Sequence, residues 1–322
     1  MLGIIIPAYN RPERLRNALE SLNRQTMKRF IVYVVDDAST EDLKSICDEY
    51  NKIINVVYIR SDVNEGPGAS RMKGLDAARV NNIELVMFLD SDDELLPHAV
   101  QTLTHEINHG LYDIIASSIV VEHKNEPFSI IQAEDSVTWF HGKIYRVAYL
   151  NKANIILPKS LRTNEDLGFN LVAFGSTKNC GYIPVQTYVW NDDKSSITRN
   201  KDTEQYSRVT GVDYIRAIHF ATFYLLQNNP KYNIVEMVPN IISCYNYYQI
   251  CLSRGGVPGE EIDRMLFDLI TLPQLKRFWK TKKAWGYINK NVWAGVPIEK
   301  EVCVFDHTFK EWFIQHGGEL CQ

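Results

Sequence analysis

No stretch of this 322-residue chain is apolar for long enough to cross a bilayer as a helix. A strand-like run already begins at Leu2, which leaves no room for the basic region, apolar stretch and cleavage site of a secretory leader. Both shortages point to a cytoplasmic protein, with at most peripheral contact to the inner membrane face. Cysteine is sparse and unpatterned: Cys47, Cys180, Cys244, Cys251, Cys303 and Cys321 contain no Cys-x-x-Cys pair. That argues against a zinc site or a disulfide framework and for reduced, packed thiols. Basic charge is not in surplus, since 35 Lys and Arg stand against 39 Asp and Glu for a net charge of −4. A dedicated nucleic-acid binder is therefore disfavoured, although a local basic patch stays open. Internal repeats and low-complexity segments are missing too. Apolar material is plentiful, at 45% hydrophobic and 11% aromatic residues, enough for one large core and an appended region.

Strand-like and helix-like patterns alternate through the first part. Leu2–Ile6, Ile31–Val35, Val56–Ile59, Leu85–Leu89 and Ile114–Val121 are continuous apolar runs, as expected of strands buried on both faces. Between them fall helical spacings: Leu15, Ala18, Leu19 and Leu22; Leu43 and Ile46 behind a cap at Thr40; Ala69–Ala78; and Val100, Leu103, Ile107 and Leu111. This order predicts an α/β fold with a mostly parallel sheet, right-handed crossovers and helices on both faces, whose ligands bind beyond the carboxyl ends of the strands. Tyr9-Asn10, Asp36-Asp37, Asn64-Glu65-Gly66 and Asp90–Asp93 all follow strand ends, so one rim should carry them. Shorter mixed elements to about residue 200 suit an antiparallel extension. Residues 201–322 read as mainly helical, with Val212–Leu226, Val235–Leu252 and Ile262–Ile270 as helices and a break at Gly255–Gly259.

The strongest chemical signal is Asp90-Ser91-Asp92-Asp93 at the end of an apolar strand. Carboxylates are hard oxygen ligands, and several at one strand tip suit Mg2+ or Mn2+ rather than zinc or copper. Such ions share their remaining positions with phosphate, so the tip can seat a nucleotide diphosphate. Turns favour Asp and Ser anyway, and the cluster alone does not decide.

Seven segments in order add to it: Ile4-Ile5-Ile6-Pro7-Ala8-Tyr9-Asn10, Val34-Val35-Asp36-Asp37-Ala38-Ser39-Thr40, Asn64-Glu65-Gly66-Pro67-Gly68-Ala69-Ser70-Arg71, Leu89-Asp90-Ser91-Asp92-Asp93, Gly142-Lys143-Ile144-Tyr145-Arg146, Asn164-Glu165-Asp166-Leu167-Gly168-Phe169 and Ser195-Ser196-Ile197-Thr198. Over roughly its first two thirds the chain resembles the family 2 glycosyltransferases of GT-A fold. The resemblance implies transfer of a sugar from a nucleotide diphosphate, a UDP-sugar, to an acceptor hydroxyl with inversion. It implies a GT-A domain over 1–200, with a nucleotide-sugar half (1–125) and an acceptor half (126–200).

In that family Pro7, Ala8 and Tyr9 would hold the base, and Asp37 would accept the N3 proton of uracil. Asn64, Gly66 and Ser91 would line the donor, with Gly66 and Gly68 letting the backbone approach without a Cβ. Arg71 would neutralise phosphate or hold its loop. Asp90 would meet the ribose or a metal-bound water, Asp92 would bind Mn2+ or Mg2+ directly, and Asp93 would orient the loop or touch the sugar. Asp166 matches the general base, with Glu165 orienting it or holding the acceptor. Relatives carry a His or Arg before the Ser-Ile-Thr segment. Here Asp192 and Lys194 stand in that stretch, and how the diphosphate is closed over stays open. The expected acceptor is a glycan or lipid-linked glycan of a cell-surface polysaccharide. The same chemistry on a nucleic-acid base or protein, and a non-catalytic sugar-nucleotide or glycan-binding module, are the rivals.

Two further patterns invite function. His105-Glu106-Ile107-Asn108-His109 fits a zinc protease motif, but its histidines lie opposite the buried face set by Leu103 and Ile107, so a surface pair is expected. Residues 276–293 interleave Lys and Arg with Phe278, Trp279, Trp285, Tyr287 and Trp293. They suit a membrane surface or an anionic polymer, and equally an amphipathic helix with its aromatics in the core. The tyrosines Tyr245, Tyr247 and Tyr248 could line an acceptor groove, form an oligomer contact or be core.

Overall fold

The computed structural model describes residues 1–123, 126–136, 138–158, 161–191, 204–253 and 259–281. Asp192, Lys194, Ser195–Thr198, the break over 254–258, the aromatics beyond residue 281, Cys303 and Cys321 lie outside them. The chain divides into two compact units, Met1–Arg199 and Asn200–Gln322.

The first unit is built on one sheet. Its strands are β1 (Leu2–Ala8), β2 (Phe30–Asp36), β3 (Val56–Arg60), β4 (Leu85–Phe88), β5 (Glu94–Leu95), β6 (Ile114–His123), β7 (Glu126–Ile131), β8 (Lys143–Arg146) and β9 (Cys180–Asn191). Its helices are α1 (Pro12–Asn23), α2 (Leu43–Tyr50), α3 (Pro67–Val80), α4 (Ala99–His109), α5 (Val147–Lys152) and α6 (Glu165–Gly175). The spatial order is β3-β2-β1-β4-β8-β6-β9-β5, with β7 beside β6. β1 to β4 are mutually parallel, as the alternating pattern requires. The sheet as a whole is mixed, because β8 inserts antiparallel between β4 and β6, and β5 and β7 are antiparallel to their neighbours. The apolar run at Ile114–Val121 therefore continues the sheet one strand further out than simple succession would place it.

Both faces of the parallel half are covered. Leu2, Ile4, Ile6 and Ala8 join Leu15, Leu19, Leu43, Leu103 and Ile107 in one core cluster, so α1, α2 and α4 contribute to that core. On the other face Gly74 of α3 lies against Ile5 and Val35, and a Cβ there would meet Ile5 Cγ2 at 2.4 Å. Each fully buried isoleucine contributes about 1.5–3 kcal/mol, and alternate residues of β1 bury that surface on opposite faces.

Two local expectations fail for identifiable reasons. Thr40 does not cap α2: its backbone N–H and its hydroxyl both donate to Asn10 Oδ1, and Asp42 caps instead by accepting from Ser45 N at 3.0 Å. Leu111 is 75% exposed rather than buried, because α4 stops at His109 and Leu111 sits past it in a left-handed turn (φ 53°).

In the second unit α7 (Glu204–Asn228), α8 (Val238–Ser253), α9 (Glu260–Ile270) and the short α10 (Lys276–Trp279) pack together. Tyr245 is buried, Tyr247 stacks on Tyr214 at 4.3 Å, and Tyr248 donates to Asp263 at 2.6 Å, so these tyrosines join helices to one another. Phe278 and Trp279 are buried, with Trp279 Nε1 donating to Ile270 O at 3.0 Å, while Lys276, Arg277 and Lys280 are exposed. That part of the basic aromatic segment is an amphipathic turn. Among the described residues no helix is long and apolar enough to cross a membrane.

Candidate functional site

β1 and β2 end side by side, Ala8 opposite Asp36, and their turns are fastened together. Asn10 adopts the left-handed conformation (φ 50°) that Asn tolerates better than most residues. Its Oδ1 accepts from Thr40 N at 2.8 Å and Glu41 N at 3.3 Å, and its own N–H donates to Ser39 Oγ at 3.0 Å. The turn leaves the Tyr9 ring 45% exposed beside Pro7 and Ala8. Asp37, nearly inaccessible, holds the next loop: Oδ1 accepts from Glu65 N at 2.9 Å and Oδ2 from Gly66 N at 2.7 Å. Gly66 has φ +93°, and a Cβ there would lie 3.0 Å from Arg162 Nη1, which itself donates to Asn64 Oδ1 at 3.0 Å.

The acid turn is clamped from the far side of the sheet. Tyr188 of β9 donates its hydroxyl to Asp93 Oδ2 at 2.7 Å and accepts from Asp90 N at 3.2 Å. Asn191 donates its backbone N–H to Asp93 Oδ1 at 3.0 Å and its side-chain amide to Asp92 O at 2.8 Å. Asp90, Asp93 and His141 each offer one ligand atom, all within 4.8 Å of one another. His141 Nε2 lies 3.6 Å from Asp90 and 3.7 Å from Asp93, and its buried Nδ1 has no hydrogen-bond partner among the described residues. Asp92 stands outside this group, its Oδ2 accepting from Arg11 Nη1 at 2.7 Å with Arg14 Nη1 at 3.5 Å. Ser91 is buried in the turn.

Arg71, 5% exposed on α3, joins these acids to the second carboxylate pair. One Nη donates to Asp90 and the other to Glu165 at the start of α6, and the guanidinium lies 5.0 Å from the Phe140 ring centre. Asp166 follows Glu165, its Oδ1 accepting from Leu167 N at 2.8 Å in the first turn of the helix. Burial works against ionising Asp90, yet Arg71 and His141 outweigh it and hold its carboxyl low. Burial pushes Asp93 up, and the charges of Asp90 and Asp92 push further. Glu165 is raised by burial against the pull of Arg71. Asp166 is raised to about 7 by burial and then by the Glu165 charge. Burial lowers Lys143, on β8, to about 7, with the Asp166 charge opposing.

The expected residues thus fall into two groups within the first unit: Pro7, Ala8, Tyr9, Asp37, Asn64 and Gly66 at the first turns, and Arg71, Asp90, Ser91, Asp92, Glu165 and Asp166 at or linked to the acid turn. His141, Tyr188 and Asn191 escaped the sequence reading, since a lone His or Tyr carries no spacing signal. The His105 and His109 rings stack 5.6 Å apart on the exposed face of α4, and no third ligand joins the pair among the described residues.

Residues 3–162 match the glycosyl transferase family 2 model. That segment is a glycosyl transferase family 2 domain. Among curated relatives the chain is 32% identical over 126 residues to the GalNAc(5)-diNAcBac-PP-undecaprenol beta-1,3-glucosyltransferase of Campylobacter jejuni, covering 38% of this chain and 40% of that protein. It is 36% identical over 218 residues to the putative glycosyltransferase EpsH of Bacillus subtilis, covering 62% of each chain. The chain thus spans less than two thirds of either relative's own length. The fold matches that of Staphylococcus aureus TarS 1–349 in complex with UDP, with a TM-score of 0.64, 20% identity, 90% of this chain and 88% of the other. A family 2 domain with GT-A architecture accounts for the parallel half of the sheet and the mixed extension together.

Proposed function

We propose that the protein is an inverting glycosyltransferase that moves a sugar from a UDP-sugar to a hydroxyl of a glycan or lipid-linked glycan, assisted by Mn2+ or Mg2+. The observation that carries this reading is the linked set Asp90–Arg71–Glu165 with Asp166 beside it, which ties the donor acids to a carboxylate poised to take a proton. Tyr9 offers its exposed face to the base. Asp37 uses one lone pair of each oxygen on a loop N–H, and a carboxylate has others left for the N3 proton of uracil.

The donor set fits a hard divalent ion: aspartate oxygens, one imidazole, and an Asp93 whose charge is disfavoured without compensation. Asp90, Asp93 and His141 offer ligand atoms within 4.8 Å of one another and would hold the ion, and Asp92, at the same turn, would join them on leaving Arg11 and Arg14. Bound there, a divalent cation offsets charge on the departing diphosphate. The acceptor oxygen forms its bond to the anomeric carbon as the bond from that carbon to the phosphate oxygen breaks. The electron pair leaves with UDP, and the acceptor proton passes to Asp166. Attack opposite the leaving group inverts the centre.

The test is thermal unfolding with Mn2+ and a panel of nucleoside diphosphates. UDP at a hundred times its dissociation constant should add about 2.7 kcal/mol, and Asp92→Ala should remove the Mn2+-dependent part. Another nucleotide doing better would overturn the uracil assignment. If Asp92→Ala kept the Mn2+ effect while His141→Ala lost it, the ion would belong to Asp90, Asp93 and His141 alone.

A further inference from the structure

Beside the acids stand two tryptophans that the mechanism above does not use. Trp139 and Trp190 are both half-buried, with ring centres 5.7 Å apart and planes 40° from each other. His141 joins them, 6.3 Å from Trp139 and 5.2 Å from Trp190, and stacks on Tyr188 at 4.8 Å. The pair therefore sits one residue layer from Asp90 and Asp93.

Its other flank is α6. Asp166 and Asn170 are four residues apart on that helix and share a face. Asn170 Nδ2 donates to Thr138 O at 3.3 Å, and its Oδ1 accepts from the Tyr145 hydroxyl at 2.6 Å. The residue next to Trp139 is thus bonded to the helix face that carries Asp166. The aromatic pair thus touches His141 beside the acids and adjoins, through Thr138, the helix of the proposed base, the two groups that an acceptor would have to approach.

We propose that Trp139 and Trp190 form a stacking wall for a pyranose ring of the acceptor. This rests on the glycosyltransferase reading and names the substrate class of its second subsite. A pyranose keeps its hydroxyls at the ring edge and presents C–H groups on its faces. Those weakly positive hydrogens meet the negative face of an indole. An open-chain alditol has no such flat face. Trp139 and Trp190 bind and orient the acceptor and take no part in proton transfer.

Saturation-transfer NMR tests this on the full chain with methyl β-D-glucopyranoside, methyl N-acetyl-β-D-glucosaminide and ribitol 5-phosphate, each with and without UDP and Mg2+. The expected result is saturation of the ring-face C–H protons of a pyranoside. Binding should weaken about tenfold in Trp139→Ala and Trp190→Ala and be largely restored in Trp139→Phe. The UDP-induced rise in Tm should be the same in all of them, which shows that each variant is folded. Pyranoside binding that survives both alanine variants would overturn the wall. So would the absence of binding by either pyranoside, or equal binding of ribitol 5-phosphate. Loss of the UDP effect in wild type would count against the donor reading, while the sugar signal without nucleotide still decides the wall.

Discussion

The donor rim and the acid centre of the first unit are held by different kinds of bond. At the rim, side chains fasten backbone: Asn10 takes the N–H groups of Thr40 and Glu41, and Asp37 takes those of Glu65 and Gly66, across about thirty residues of sequence. At the acid centre, such bonds to backbone are joined by charged and buried side chains that hold one another, some over far greater separations, with Arg71 reaching Glu165 and Tyr188 reaching Asp93. Backbone-anchored loops tolerate a lost side chain better than a buried charge array does, because each member of the array is the counter-charge of another. The rim should therefore fail gradually and the centre abruptly.

The sharpest test of that contrast is Asp166→Asn, which should cut transfer by about 10²–10⁴-fold while UDP still raises Tm. Retained turnover would remove Asp166 from the mechanism. Arg71→Ala comes next. It leaves Asp90 and Glu165 without their shared cation and should cost about 3 kcal/mol or more of stability, read as a fall in the denaturant midpoint. A midpoint within error of wild type would show that the two acids do not depend on it. At the rim, Asp37→Asn keeps one acceptor oxygen for the loop. It should raise the KM for the UDP-sugar about tenfold, roughly the 1.4 kcal/mol of one hydrogen bond, with kcat nearly unchanged. An equal loss in kcat would place Asp37 among the abrupt group.

The pH response separates the regions further. As the proposed base, Asp166 would act only when ionised, so kcat/KM should climb with unit slope as pH rises towards about 7 and then level. Stability runs the other way. A carboxyl raised on folding binds its proton more tightly in the native state, so its contribution is full below the ordinary carboxylate range and is lost as pH rises through about 7. Asp166→Asn should therefore flatten the decline in Tm between pH 5 and 8. The smallest effect belongs outside both regions: His105→Ala with His109→Ala should change stability by less than about 0.5 kcal/mol and leave transfer unaltered. A Zn2+-dependent loss in that double variant would revive the metal reading of α4.

The rim was legible in the sequence because its residues sit at strand ends, where the apolar runs of Leu2–Ile6 and Ile31–Val35 stop and a polar turn must follow. Alternation of runs and helical spacings likewise exposed the parallel half. The insertion of β8 between β4 and β6 was not legible, since a four-residue strand leaves no period to read. His141 and Trp139 were invisible for a related reason: nothing local marks a side chain that acquires its neighbours only when β9 arrives from fifty residues further on. Asp92 shows the converse limit. The family resemblance marked it as a metal ligand, while its contacts with Arg11 and Arg14 depend on how α1 leaves the first strand.

The acid turn lies between β4, which ends at Phe88, and β5, which begins at Glu94 and pairs with Val189 on β9. Five residues are thus gripped at both ends by a sheet. Their conformational entropy is surrendered when the chain folds, not when a donor arrives. The carboxylates then stand as fixed dipoles that need little reorganisation during the reaction, the condition under which an electrostatic field lowers a barrier most.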